Sequence, residues 1–127
     1  MAKIALRARC FPTEDRDRIV RAMSELFPDA VLTGDDPIVG TAESVEAFGE
    51  RLKKQHIRDS ARAAMRRGII DNSTSFRLNK QVACVGKVSF SEESHALGDI
   101  EVTVESEDIE ALISSIAPDT RHLEVRG

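Results

Sequence analysis

Between residues 51 and 67 the chain carries Arg51, Lys53, Lys54, Arg58, Arg62, Arg66 and Arg67, opposed only by Asp59. Lys54, Arg58, Arg62 and Arg66 recur every four residues, a spacing that sets them along one slowly drifting ridge of an α-helix. Successive groups on such a ridge stand about 6 Å apart, from a rise of about 1.5 Å per residue. A guanidinium grips phosphate oxygens through two parallel N–H donors, so the row suits the backbone of a polyanion. Like charges at this spacing repel by roughly a few tenths of a kcal/mol per pair. An unpaired ridge therefore costs stability and calls for a reason.

Arg77, Lys80 and Lys87 extend the same sign further along the chain. Asn79 and Gln81 add amides that can both donate and accept, which suits the 2′-hydroxyl or base edges of RNA. The plainer account has these two amides tying up backbone groups at a tight turn, and for an isolated Asn-Lys-Gln it is the better one. The ridge has plain accounts too. Its side chains can simply cover apolar surface with their stems while their heads stay in water. They can also pair with the acidic C-terminal third, which holds Glu92, Glu93, Asp99, Glu101, Glu105, Glu107, Asp108 and Glu110, within one chain or across a dimer.

Other chemistries find little support. The seven glycines never form Gly-x-Gly, and there is no phosphate-loop pattern, so a dinucleotide or nucleoside triphosphate cofactor is not indicated. His56, His95 and His122 are scattered without metal-ligand spacing, so no metal is expected. Glu92, Glu93 and Asp99 read as a solvated acidic turn. Cys10 and Cys84 belong to no Cys-x-x-Cys pair and sit among small or apolar neighbours, which predicts two buried free thiols. Pairing of Cys84 with His56 as nucleophile and base has no local support. No catalytic residues are expected, and no cofactor.

The elements that must position these residues follow from periodicity. Residues 3–10 alternate as a half-buried strand. Thr13 is the expected N-cap of a first helix with Ile19, Val20, Met23, Leu26 and Phe27 on its apolar stripe and Pro28 as its stop. Residues 30–41 read as a hairpin turning at Gly34-Asp35-Asp36-Pro37. A single long helix is expected from about residue 42 to about residue 67, closed by Gly68 in the left-handed conformation. Residues 74–90 turn extended again, with 79–86 open between continuous strand and a tight helical turn. Residues 98–105 alternate Ile100, Val102 and Val104 against Glu101, Thr103 and Glu105, and Ser106 is the expected cap of a last helix bearing Ile109, Leu112, Ile113 and Ile116. Three amphipathic helices and short antiparallel strands predict one α+β domain over residues 1–127, a two-layer sandwich with a mostly antiparallel sheet packed against helices.

With 127 residues and 41% hydrophobic content the chain can bury one core. A net charge of −4 confines any polyanion site to a local patch. No run of about 18 apolar residues occurs, so no membrane span is expected. The start at Met1-Ala2-Lys3-Ile4 enters a strand pattern directly, so the chain is expected to stay in the cytoplasm.

Pro12-Thr13-Glu14-Asp15, the stretch from Arg51 to Arg62, Leu78-Asn79-Lys80-Gln81-Val82-Ala83 and Gly86-Lys87-Val88-Ser89-Phe90 together resemble a family of small archaeal proteins. That family is described as an uncharacterised conserved or RNA-binding domain family with a fold similar to ribosomal protein L-five. The likeness runs from the first strand to Ala117-Pro118 and is most specific over Leu78 to Ala83 and Leu97-Gly98. It implies an archaeal source, a ribosomal protein L-five-like fold, an RNA-related role without enzyme activity, and a homodimer. Two positions depart from the pattern: Val82 stands where a small residue is expected, and His56 where an arginine is more usual, which dilutes the basic helix. Residue reading and resemblance together point to RNA as partner, contacted by Arg51, Lys54, Arg58, Arg62, Arg66, Arg77, Asn79, Lys80, Gln81 and Lys87. The alternative is a protein-interaction or dimerisation module that docks through sheet edges and the acidic strand, and a third option is an enzyme using the same arginines on a phosphorylated small molecule.

Overall fold

The computed structural model describes residues 2–91 and 98–118. Strand β1 (Lys3–Ala8) alternates strictly, burying Ile4, Leu6 and Ala8. It lies at the centre of a six-stranded antiparallel sheet of order β2-β3-β1-β6-β5-β4. The other strands are β2 (Val31–Thr33), β3 (Ile38–Ala42), β4 (Ile69–Ile70), β5 (Ser73–Asn79) and β6 (Asp99–Glu105). The register sets Leu6 opposite both Gly40 and Val102, and Val102 opposite Phe76. One face of the sheet is thus continuously apolar, and the helices cover it. Among the described residues the other face is open and carries Lys3, Ala5, Arg7, Val39, Thr41, Ser75, Glu101 and Glu105 as exposed side chains.

The expected hairpin is present as β2–β3. Helix α1 (Arg16–Leu26) buries Ile19, Ala22, Met23 and Leu26, but its N-cap is Asp15, which accepts from the Asp17 amide at 3.0 Å, and not Thr13. The chain first makes a turn in which Glu14 N donates to Phe11 O and the Glu14 carboxylate accepts from Phe11 N. That turn delays the helix by two residues.

The single long helix expected over residues 42–67 is two helices, α2 (Glu46–Lys54) and α3 (Arg58–Arg67). Residues 43–45 stay outside, with the Glu43 and Ser44 amides donating to the Asp29 carboxylate. The break falls at His56, whose φ is +57°. Its physical cause lies in the buried residues. Leu52 and Ala61 are each 0% exposed, yet nine residues is about two and a half turns. A straight helix would put them on opposite sides. The turn at 55–57 rotates α3 so that Ala61 and Met65 face the same sheet as Phe48 and Leu52.

At residues 79–86 the tight helical turn is found, as α4 (Lys80–Cys84), with Asn79 as its N-cap accepting from the Val82 amide at 3.0 Å. Gly86 reverses the chain with φ +84°. Phe90 then bridges back to Leu78. Helix α5 (Ile109–Ile116) buries Ile109 and Ile113 and is capped by Asp108, not Ser106. Gly68 does not adopt the left-handed conformation, since its φ is −91°. A Cβ there would instead run into the Ser75 carbonyl oxygen, so close approach of α3 to β5 is what requires glycine. Five helices and one open sheet make an α+β fold of two layers. Phe27, Phe48, Phe76 and Phe90 form a chain of ring contacts between the layers, with centroids 5.4–6.4 Å apart.

Candidate nucleic-acid interface

The four-residue ridge does not survive intact, because the break at His56 puts Lys54 on α2 and leaves Arg58, Arg62 and Arg66 on α3. The guanidinium of Arg62 lies 3.4 Å from Asp59 one turn back, and that of Arg66 lies 3.6 Å from Glu110 of α5. Glu110 belongs to the acidic C-terminal third, so the expected pairing within the chain is met at Arg66, through α5. Glu101 and Glu105 of β6 are exposed on the open face of the sheet, with Arg7 and Arg77 flanking Glu101 in register. Arg7 bonds Glu101 at 3.2 Å. Strand β6 itself is interior to the sheet, whose edges are β2 and β4.

Two side chains of α2 reach the loop after α4. Arg51 donates to the Gly86 carbonyl. Gln55 makes a reciprocal pair with Val88, its Nε2 donating to Val88 O at 3.0 Å and its Oε1 accepting from Val88 N at 2.7 Å. The loop is thereby fastened against the end of α2, and Lys87 is carried with it. Lys54 and Lys87 are exposed and Arg58 is half-exposed. None of the three has a carboxylate partner among the described residues. The Gln55–Val88 and Arg51–Gly86 bonds therefore bring the backbone at Lys87 beside the stretch that carries Lys54 and Arg58.

The remaining expected contacts are placed otherwise. Arg51 is committed in part to Gly86, and Arg77 sits half-buried on the open sheet face. Asn79 caps α4, as the plainer account of that amide anticipates, while Gln81 is exposed on the same helix. Lys80 is a correction to the expected set. Its side chain is 1% exposed, and its ammonium donates to Glu14 at 2.7 Å and to the Arg9 carbonyl at 2.8 Å, below the Phe11 ring at 5.4 Å. It holds α4 to the turn before α1 and offers nothing to a phosphate outside.

The two thiols are half-buried, not fully buried as expected. Burial pushes both above the usual thiol range, which keeps them protonated and weakly nucleophilic. The Cys84 Sγ faces the Arg18 carbonyl of α1 at 3.9 Å, so it is directed to α1 and not to His56. Among the described residues no group of three His, Cys, Asp or Glu side chains is placed to hold a metal ion, and no helix is long and apolar enough to cross a membrane. Of the acidic turn, Asp99 accepts from Ser91 at 3.0 Å, and Glu92 and Glu93 lie outside the described residues, as does His95.

A family model described as RNA binding matches residues 3–106. The UPF0201 protein of Methanothermobacter thermautotrophicus is 40% identical over 123 residues, covering 94% of this chain and 93% of the relative. The chain belongs to the UPF0201 family. Another UPF0201 protein, from Methanocaldococcus jannaschii, is 38% identical over 128 residues, covering 94% of this chain and 74% of its own. A 2.2 Å crystal structure of a UPF0201 protein from Methanococcus jannaschii superposes with a TM-score of 0.86 at 36% identity, over 92% of this chain and 93% of that one. The resemblance to small archaeal proteins read from the sequence is thus this family.

The UPF0201 residues missed by sequence reasoning are those that act between elements. Gln55 entered only as part of the resemblance, with no role assigned. Its place in the stretch from Arg51 to Arg62 is its sole local signal, and the partner at Val88 is visible only once the chain has folded.

Proposed function

We propose that the protein binds RNA, with Lys54, Arg58 and Lys87 at the α2–α3 break contacting the phosphate backbone and Arg66 and Gln81 supplying further donors around them. The observation that carries this reading is the Gln55–Val88 tie, which sets the loop bearing Lys87 against the segment bearing Lys54 and Arg58, three cations without carboxylate partners among the described residues. A cluster of like charge costs stability, and an external polyanion would relieve that cost. The family's description supplies RNA as the polyanion. Arg66 contributes when phosphate displaces Glu110, which meets it at 3.6 Å with both side chains more than half exposed. The overall charge of −4 keeps binding local, so affinity depends on a few contacts and not on coating.

The test is a filter-binding titration of total RNA with the wild type and with a Lys54→Glu, Arg58→Glu, Lys87→Glu variant. The variant is expected to fold normally and to lose retention at low salt. In the wild type, log K should fall with log salt by about 0.7 to 0.9 per phosphate contacted. Equal retention by the folded variant would remove these cations from the interface.

A further inference from the structure

The outer edge of β5 is covered in two pieces. β4 pairs with its beginning, setting Ile69 against Thr74 and Ile70 against Ser73. Residues 89–91 cover its end, with Asn79 N donating to Ser89 O at 2.8 Å and Ser91 N donating to Arg77 O at 2.9 Å. Between the two pieces, around Ser75 and Phe76, lies a cleft of about 820 Å³ lined by α3, β5, the 90–91 segment and β6. That volume falls within the roughly 300–1,000 Å³ of sites for small organic molecules.

The lining combines three chemistries. Phe90 is half-buried, and its ring is held by Phe76 at 5.5 Å and Phe48 at 6.4 Å while also bordering the cleft. Arg67 and Arg77 border the same cleft, each with the five donors of a guanidinium. Ser75 Oγ and Thr103 Oγ1 lie 3.1 Å apart and Glu101 is fixed by Arg7 at 3.2 Å, which gives a group of hydroxyls beside an oriented acceptor. An aromatic ring, cations and paired donors and acceptors are the groups that recognise an unstacked nucleotide. The segment 86–91 also links the two places, because it runs from Lys87 at the α2–α3 break to Phe90 and Ser91 at the cleft.

We propose that this cleft receives one unstacked nucleotide of a single-stranded RNA whose backbone lies on the cations of the α2–α3 break. The base lies against Phe90, Arg67 and Arg77 face its phosphate, and Ser75, Thr103 and Glu101 meet its polar edge or 2′-hydroxyl. A duplex has no free base to insert, so the protein prefers single strands. This inference rests on the RNA-binding reading above.

The experiment measures fluorescence anisotropy of a labelled twelve-nucleotide single strand and of the matching RNA duplex against wild type, Ala64→Trp and Phe90→Leu. Ala64→Trp fills the cleft from half-exposed α3 without altering charge, and Phe90→Leu keeps apolar bulk while removing the ring. Wild type should favour the single strand. Each variant should weaken single-strand binding by about tenfold and change duplex binding by less than about twofold. Should Phe90→Leu prove unstable, Ala64→Trp decides alone. Single-strand affinity unchanged in a folded Ala64→Trp, or equal wild-type affinity for both probes, would overturn the cleft assignment and leave the RNA reading standing. Binding of neither probe by wild type at low salt would overturn the RNA reading itself.

Discussion

Lys80 carries its charge where water does not reach, and Glu14 together with the Arg9 carbonyl replaces the lost hydration. Removing one member of a buried pair strands the other, at a cost of about 3–5 kcal/mol. Lys80→Ala is expected to destabilise the protein by that amount in urea denaturation. A loss below about 1 kcal/mol would mean the pair behaves as a surface contact. Asp36 shows the opposite setting. It is exposed, and the Arg9 guanidinium at 2.6 Å and the Cys10 amide at 3.1 Å hold its carboxyl below the usual carboxylate range. A depressed carboxyl contributes stability that is complete above about pH 4 and is lost as pH falls through its lower folded value. Asp36→Asn should therefore lower the melting temperature at pH 6 and leave it nearly unchanged at pH 2. An equal loss at both values would point to the amide contact alone. The effect should be small, because the pair is at the surface.

At the scale of elements, the side-chain amide of Gln55 does the work of a strand neighbour by satisfying both backbone groups of Val88. Gln55→Ala leaves a donor and an acceptor of a 5%-exposed residue without partners, and it should cost about 1–3 kcal/mol. Amide exchange at Val88 should accelerate, and unchanged exchange would show that the loop is held by other contacts. Much of this level was legible in the sequence. The alternations of β1 and β6, the stripes of α1 and α5 and the β2–β3 hairpin all follow from local period, which reports whether a residue faces core or solvent. The break at His56 was not legible in the same way. Residues 42–67 carry a weak apolar stripe and good helix formers throughout, and only the demand that Leu52 and Ala61 share one sheet face forces the chain to turn. Both misplaced caps have a similar origin, since Thr13 and Ser106 are suitable residues that lost to aspartates two positions further on. Of the candidate site, the excess of positive charge could be read from residue types. Which of those cations end up inside, paired or gathered together could not, because Lys80 and Lys87 differ only in what the fold brings to them.

For the molecule as a whole, placing every described helix on one face of the sheet divides the charges in two. The acidic residues of β6 fall on the open side beside Arg7 and Arg77, while Lys54, Arg58 and Lys87 fall at or beside the junction of α2 and α3. Under the RNA-binding proposal, that separation keeps most carboxylates of β6 away from the cations assigned to the phosphate backbone. The order of strands has a separate effect. Its longest members, β5 and β6 with seven residues each, lie within the sheet, whereas the outermost are β2 with three residues and β4 with two. So short a rim presents little template for another chain to continue the ladder, and the protein is protected by its own topology from growing into fibrils when it is crowded.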